Sequence, residues 1–236
     1  MNRYDDPTFF DAYAEMSRSR DGLAGAGEWW QMRELFPPLD GKRILDLGCG
    51  YGWHCRYAME HGAESVLGID QSGRMIAEAE ARNALPGITY RVCALMDYEY
   101  PGGEFDLVIS NLVLHYVSDL DKVYQKVYST LKSGGSFLFN IEHPVFTAGV
   151  GQQFAPDGTW PVDDYYIPGK RETEFLGHRV IKEHHTLTQI LMGLLQTGFR
   201  LEAVVEAMPP ETWRQNMPWE MRRPMMLLVK AVKEKE

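Results

Sequence analysis

The spacing Asp46-x-Gly48-x-Gly50-x-Gly52, with a second carboxylate at Asp70, is the part of this chain best suited to chemistry. Glycines let the backbone approach a ligand closely and take angles that a Cβ forbids. Asp70 closes the apolar run Val66-Leu67-Gly68-Ile69. An acid at the end of such a strand can accept hydrogen bonds from both hydroxyls of a ribose. A nucleoside derivative is therefore the expected ligand. Positioning these residues takes a strand, a turn and a helix. Lys42-Arg43-Ile44-Leu45 reads as the end of a buried strand, and Trp53–Glu60 as a helix stopped at Gly62. That unit sets its ligand at the C-terminal edge of a sheet.

A dinucleotide fingerprint would read Gly-x-Gly-x-x-Gly, with the helix facing a pyrophosphate. Here the third glycine comes one residue early and an acid, Asp46, precedes the loop. A carboxylate repels a pyrophosphate but favours an ammonium or sulfonium. S-adenosylmethionine (SAM) carries both cations and no phosphate.

In this order the residues resemble the class I SAM-dependent methyltransferases. Asp70-Gln71-Ser72-Gly73-Arg74-Met75 is similar to that family's acid-x-Ser-x-x-Met segment, with Ser72 as helix N-cap. Phe105–Asn111 resembles its fourth strand. The run Leu112–Val117 and the turn Leu131-Lys132-Ser133-Gly134-Gly135 resemble the family's Leu-His-x-Val and Leu-Lys-Pro-Gly-Gly segments. The resemblance covers roughly residues 40 to 142, and within the family it points to the group containing the quinone-biosynthesis enzymes. It implies SAM as cofactor, with the backbone of Gly48, Cys49 and Gly50 against it and Asp70 on the ribose. It counts Gln71 and Met75 among the cofactor-binding residues, with Leu95 and Met96 at the adenine, and Asp46 and Asn111 at the methionine end. The family's usual adenine acid falls at Ala94, so Asp97 or the backbone of Leu95 and Met96 is expected to serve instead. The related N-terminal extensions fold over the cofactor, which makes Tyr4, Tyr13 and Arg18 candidates there, Arg18 pairing a carboxylate.

The whole chain, 236 residues, is expected to be a single domain. Its net charge of -9 and pI near 5.3 argue against a nucleic-acid partner. No apolar run reaches membrane-span length, and Met1–Asp6 does not read as a signal peptide, so a cytoplasmic protein is expected. Cys49, Cys55 and Cys93 lack Cys-x-x-Cys spacing, and no histidines stand at metal-ligand spacing, so no disulfide and no metal is expected. Oligomeric state is left open.

Residues 1–38 read as a helical cap with helices at Thr8–Met16 and Gly27–Leu35, ended by Pro37-Pro38. Strands are expected at 42–46, 65–70, 88–93, 105–110, 136–141, 200–206 and Met225–Val232, and helices at 52–61, 73–83, 119–131 and 186–197. The fold class is α/β, a Rossmann-like three-layer sandwich with a mostly parallel seven-stranded sheet; by the resemblance, the last strand is antiparallel. Residues 143–184, rich in Pro, Gly and aromatics, break the rhythm and read as a lid-like insertion over the crevice.

Methyl transfer from a sulfonium needs alignment and exclusion of water before it needs an acid or base. Should a base be required, His143 in Glu142-His143-Pro144 is the candidate, at the end of the fifth strand; alternation turns one of Glu142 and His143 away. Trp160, Tyr165, Tyr166 and His185 are candidates for the wall of a small-molecule acceptor pocket. Two other readings stand beside this one. A non-catalytic SAM-binding or partner-binding module would look alike around the cofactor. An NAD-dependent oxidoreductase would share the fold, but the chain shows no Tyr-x-x-x-Lys pair; Tyr124 meets Tyr128 at that offset.

Overall fold

In the computed structural model the described residues are 3–235; Met1 and Asn2, the first residues of the expected cap, and Glu236 lie outside them. The N-terminal segment carries α1 (Pro7–Ala14), α2 (Ser17–Arg20) and α3 (Trp29–Met32). Asp6 caps α1 by accepting the amides of Thr8 and Phe9. α1 corresponds to the expected helix Thr8–Met16 but ends two residues early, because Met16 is extended, φ -63° and ψ 144°, where the chain turns into α2. Gly27–Leu35, expected as one helix, is the single turn of α3 followed by a 3₁₀ turn at Arg33–Leu35.

Strand and helix then alternate: β1 (Arg43–Leu47), α4 (Trp53–Glu60), β2 (Ser65–Asp70), α5 (Gly73–Asn83), β3 (Ile88–Val92) and β4 (Phe105–Asn111). After them come α6 (Leu120–Thr130), β5 (Leu131–Glu142), α7 (Pro144–Thr147), β6 (Gly169–Phe175) and β7 (His178–His184). The chain closes with α8 (Leu187–Thr197), β8 (Phe199–Ala207), α9 (Glu211–Arg214) and β9 (Met226–Lys233). The helices form where their ends are satisfied and one face is apolar. Ser72 accepts from the Met75 amide at the start of α5, and Asp119 from Lys122 at the start of α6. Thr186 and Gln189 form a reciprocal capping box on α8. Leu120, Val123, Tyr124 and Val127 of α6 are buried in one stripe, each contributing about 1.5–3 kcal/mol by leaving water.

The sheet order is β3-β2-β1-β4-β5-β9-β8. Pairings from β3 through β5 are parallel, and β9 runs antiparallel to both β5 and β8. One hydrophobic cluster packs α6 and α8 against one face, and a second packs α3 and α4 against the other. Because β1 and β4 are neighbours while their connections leave in opposite directions, a crevice opens at their C-terminal ends. The expected insertion contains the β6–β7 hairpin, turned at Leu176-Gly177, whose φ values of 53° and 74° are those of a tight primed turn.

Candidate active site

A cavity of about 390 Å³ opens at that crevice. Its wall is made by the N-terminal helices, the loop after β1, the ends of β2, β4 and β5, and the β6–β7 hairpin. Tyr4, Tyr13, Arg18, Gly48, Cys49, Gly50, Asp70, Gln71, Met75, Leu95, Met96 and Asn111 all line it.

The loop after β1 holds a carboxylate in place. The amides of Gly50 and Ser72 donate to Asp70 at 3.1 and 2.9 Å, fixing both of its oxygens. Burial pushes the Asp70 carboxyl up, and those two amides oppose the shift. Gly50 has φ 53°, and a Cβ added there would meet no protein atom within 4 Å, so the loop offers an open cradle. Gly48 is tight in a different way: a Cβ would stand 2.3 Å from Val113 Cγ2. The Ser72 hydroxyl donates to Asp5 at 2.7 Å, which ties the N-terminal segment across the same edge.

A second network runs behind the wall. Arg18 donates from two nitrogens to the two oxygens of Glu28 at 3.1 and 3.2 Å, and Glu28 is 3% exposed. Asn140 Nδ2 lies 2.9 Å from Asn111 Oδ1 and 3.4 Å from Glu28 Oε1. The pair therefore aims Arg18 at the cavity while leaving further guanidinium N–H groups for an anionic group.

Asp46 departs from expectation. It is 1% exposed and sits behind the loop, off the cavity wall. Cys55 Sγ donates to its Oδ2 at 3.4 Å, and Oδ1 finds no partner among the described residues. Burial pushes this carboxyl up to about 7. A raised folded pKa gives stability that is complete below the unfolded value of about 3.9 and is lost as pH rises. Asp46→Asn is expected to flatten the pH dependence of Tm between about pH 4 and 7. A melting profile of unchanged slope would show that the group is not the source.

None of the residues expected in the acceptor pocket lines the cavity. His143 is 4% exposed but faces β8: its Nδ1 accepts from the Val145 amide at 3.1 Å, and its Nε2 lies 3.0 Å from Glu206. Trp160 stacks on Phe146 with ring centroids 5.3 Å apart, under the Arg223 guanidinium, so these aromatics form the insertion's own core. Tyr165 packs elsewhere, its ring 5.5 Å from His184 and its hydroxyl accepting from the Leu187 amide at 3.2 Å. Tyr166 is 89% exposed. His185 has its Nε2 2.8 Å from the Val117 carbonyl. Asp97, considered for the adenine, is exposed and off the wall.

In their place the wall holds Glu142, His115 and Lys182. Lys182 Nζ donates to Glu142 Oε1 at 2.5 Å and to Gln152 Oε1 at 3.1 Å. Gln152 Nε2 returns a bond of 3.3 Å to Glu142 Oε2. The Glu142 amide donates to His115 Nδ1 at 3.5 Å, which leaves the ring proton on Nε2. Burial, outweighing Glu142, drives His115 down to about 4, so it is neutral. Burial works to raise the Glu142 carboxyl, but the Lys182 ammonium and the Gln152 hydrogen bond hold it below its usual range. Strand parity carried the signal for both partners. Glu142 shares the inward face of β5 with Asn140, and Lys182 shares that of β7 with Val180 and His184.

The residues present fit the expected cofactor: an open glycine cradle, a fixed carboxylate at the end of β2, and an aimed guanidinium. Among the described residues no group of His, Cys, Asp or Glu is arranged to hold a metal ion, and no helix is long and apolar enough to cross a membrane.

Comparison with known proteins identifies the family. A family profile described as a methyltransferase domain matches residues 45–139. The chain is similar to a candidate SAM-dependent methyltransferase of Listeria monocytogenes, with 43% identity and TM-score 0.85 over 91% of this chain and 100% of that one. It is similar to a SAM-dependent methyltransferase of Mesorhizobium loti, with 42% identity and TM-score 0.83 over 89% of this chain and 100% of that one. The mitochondrial ubiquinone biosynthesis O-methyltransferase of Mus musculus is 33% identical over 69% of this chain and 46% of its own length, so the chain spans less than half of that relative.

Proposed function

This chain belongs to the class I SAM-dependent methyltransferases, and from that premise we propose that its methyl acceptor is a small molecule. The observation that carries the reading is the continuity of the cavity. The expected cofactor residues and the corner formed by His115, Glu142 and Lys182 open on one space of about 390 Å³, of small-ligand size. The N-terminal segment and the β6–β7 hairpin both contribute to its walls. A net charge of -9 gives a polyanion no electrostatic welcome. That this one space also reaches His115, Glu142 and Lys182 favours an enzyme over a sealed binding module. Action in the cytoplasm is part of the same proposal.

When bound, SAM supplies a methyl on a sulfonium, a carbon already activated for displacement. The protein's work is to position and to exclude water. Asp70 would accept the ribose hydroxyls, and the Gly50 backbone would lie flat against the nucleoside. The backbone around Leu95 and Met96 would meet the adenine. Arg18, braced by Glu28, would pair with the methionine carboxylate, and Asn111, held by Asn140, would orient the same end. Tyr4 and Phe175, both packed on Phe9, would help to close the space around the ligand.

Incubation with methyl-labelled SAM and separate small-molecule, protein and RNA fractions tests the acceptor class. Label entering only RNA or protein would refute a small-molecule acceptor. Gly50→Ala tests the cradle: a Cβ at this φ is expected to cost about 1–2 kcal/mol of stability. It should also weaken S-adenosylhomocysteine binding in calorimetric titration. Unchanged affinity in that variant would mean that the ligand does not lie on the loop.

A further inference from the structure

We propose that residues 3–14 form a strap over the cavity, hinged at Glu15-Met16 and latched to the β6–β7 hairpin by Phe9, and that ligands enter and leave when it lifts. The inference rests on the methyltransferase reading and concerns access to the same site.

The strap joins two parts of the cavity wall that are far apart in sequence. At the cofactor edge Asp5 accepts the Ser72 hydroxyl at 2.7 Å, two residues from Asp70. The rings of Phe10 and Tyr13 each stand 5.9 Å from that of Tyr51, in the glycine loop. At the hairpin Phe9 packs on Phe175 and His178, with ring centroids 5.9 and 5.5 Å apart. Arg3 donates to the Arg179 carbonyl at 3.1 Å, and the Thr8 hydroxyl lies 3.5 Å from His178 Nε2. Tyr51, Asp70 and Phe175 line the cavity at these attachments, and Tyr4 and Tyr13 of the strap line it between them.

The hold on the hairpin is slight. Phe9, 1% exposed, is the one buried residue of α1, and the Arg3 and Thr8 contacts are open to solvent. An element held by so little buried surface opens below the cost of global unfolding. The chain beyond the strap is fixed instead: Ser17 donates to the Gly25 carbonyl at 2.8 Å, and Arg18 grips Glu28 from two nitrogens. Met16, extended between α1 and α2, is where the held and the liftable parts meet. Methyl transfer needs water excluded, yet the nucleoside product must leave afterwards, and a strap with one apolar latch serves both needs.

Phe9 does not line the cavity, so replacing it separates gating from ligand contact. If exchange needs an open strap, loosening the closed form raises association and dissociation rates by one factor and leaves their ratio unchanged.

The test is stopped-flow binding of S-adenosylhomocysteine to the whole protein, followed by tryptophan fluorescence, since Trp53 lines the cavity. In Phe9→Ala both rates are expected to rise about tenfold or more while Kd stays within about threefold. Phe9→Leu, which keeps apolar volume and loses the ring, should fall between that variant and the wild type. Hydrogen exchange of the wild type should show α1 amides exchanging sooner than those of β4, and slowed by S-adenosylhomocysteine. An unchanged association rate in Phe9→Ala, or in Phe9→Leu should the alanine variant not fold, would overturn the proposal. So would a rise in dissociation alone, or α1 amides that exchange only on global unfolding. Each of those results leaves S-adenosylhomocysteine binding, and with it the methyltransferase reading, intact. A wild type that does not bind S-adenosylhomocysteine would remove both.

Discussion

Lys182→Met is expected to destabilise the fold by about 3–5 kcal/mol, the effect of stranding a buried charge. Glu142 is 7% exposed, and without the ammonium it keeps only Gln152 and the neutral His115 as neighbours. The ion pair itself is no large source of stability, since removing both charges from water offsets their attraction. For that reason Glu142→Gln/Lys182→Met should recover most of the loss. Urea denaturation of the two variants and the wild type measures this directly. Equal loss in the single and double variants would mean that Lys182 stabilises through its packing on Phe146 and Phe175 and not by neutralising Glu142.

Asp70→Ala is expected to weaken S-adenosylhomocysteine binding by about 1.5–3 kcal/mol, the usual loss for hydrogen bonds to a charged group. That corresponds to roughly a 10- to 150-fold rise in Kd. The carboxylate is already oriented by the amides of Gly50 and Ser72, so no ordering cost dilutes its contribution. Asp97→Ala is the control: that residue is exposed and off the cavity wall, and its replacement should leave Kd unchanged. A folded Asp70→Ala protein with wild-type affinity would dismiss the ribose placement. Calorimetric titration against NAD in parallel should show no heat of binding.

The two predictions concern opposite ends of one cavity, and the two ends differed in how far the sequence disclosed them. Asp70, Gly50 and their neighbours form a contiguous strand–loop–helix unit, and local chemistry suffices to place them. The glycine spacing, the apolar strand and the Ser72 cap are all determined within a few residues of one another. The alternation of strands and helices likewise follows from local periodicity, and the strands of the main sheet lie close to expectation except that β5 begins at Leu131, taking in the segment expected as a turn. The boundaries that shifted, at Thr8–Met16 and Gly27–Leu35, are in short helices whose ends depend on what they pack against.

The acceptor end is assembled from distant segments. His115 comes after β4, Glu142 ends β5, and Lys182 lies on a hairpin separated from Glu142 by 40 residues. Nothing local says that these three meet. Reading His143 into the crevice came down to one residue of strand parity, since neighbouring side chains on a strand face opposite ways. The register of β5 against β4 and β9 sends Glu142 inward and leaves His143 against Glu206. The insertion's aromatics were recognisable as a group, but whether they packed on a ligand or on each other depended on where Arg223 came to rest. The sequence by itself determined the sheet, the glycine loop and the carboxylate at its edge, because each is set by short-range backbone chemistry. Only the tertiary structure decided which charged groups face the acceptor, because burying Lys182 requires a partner that the chain supplies from another strand.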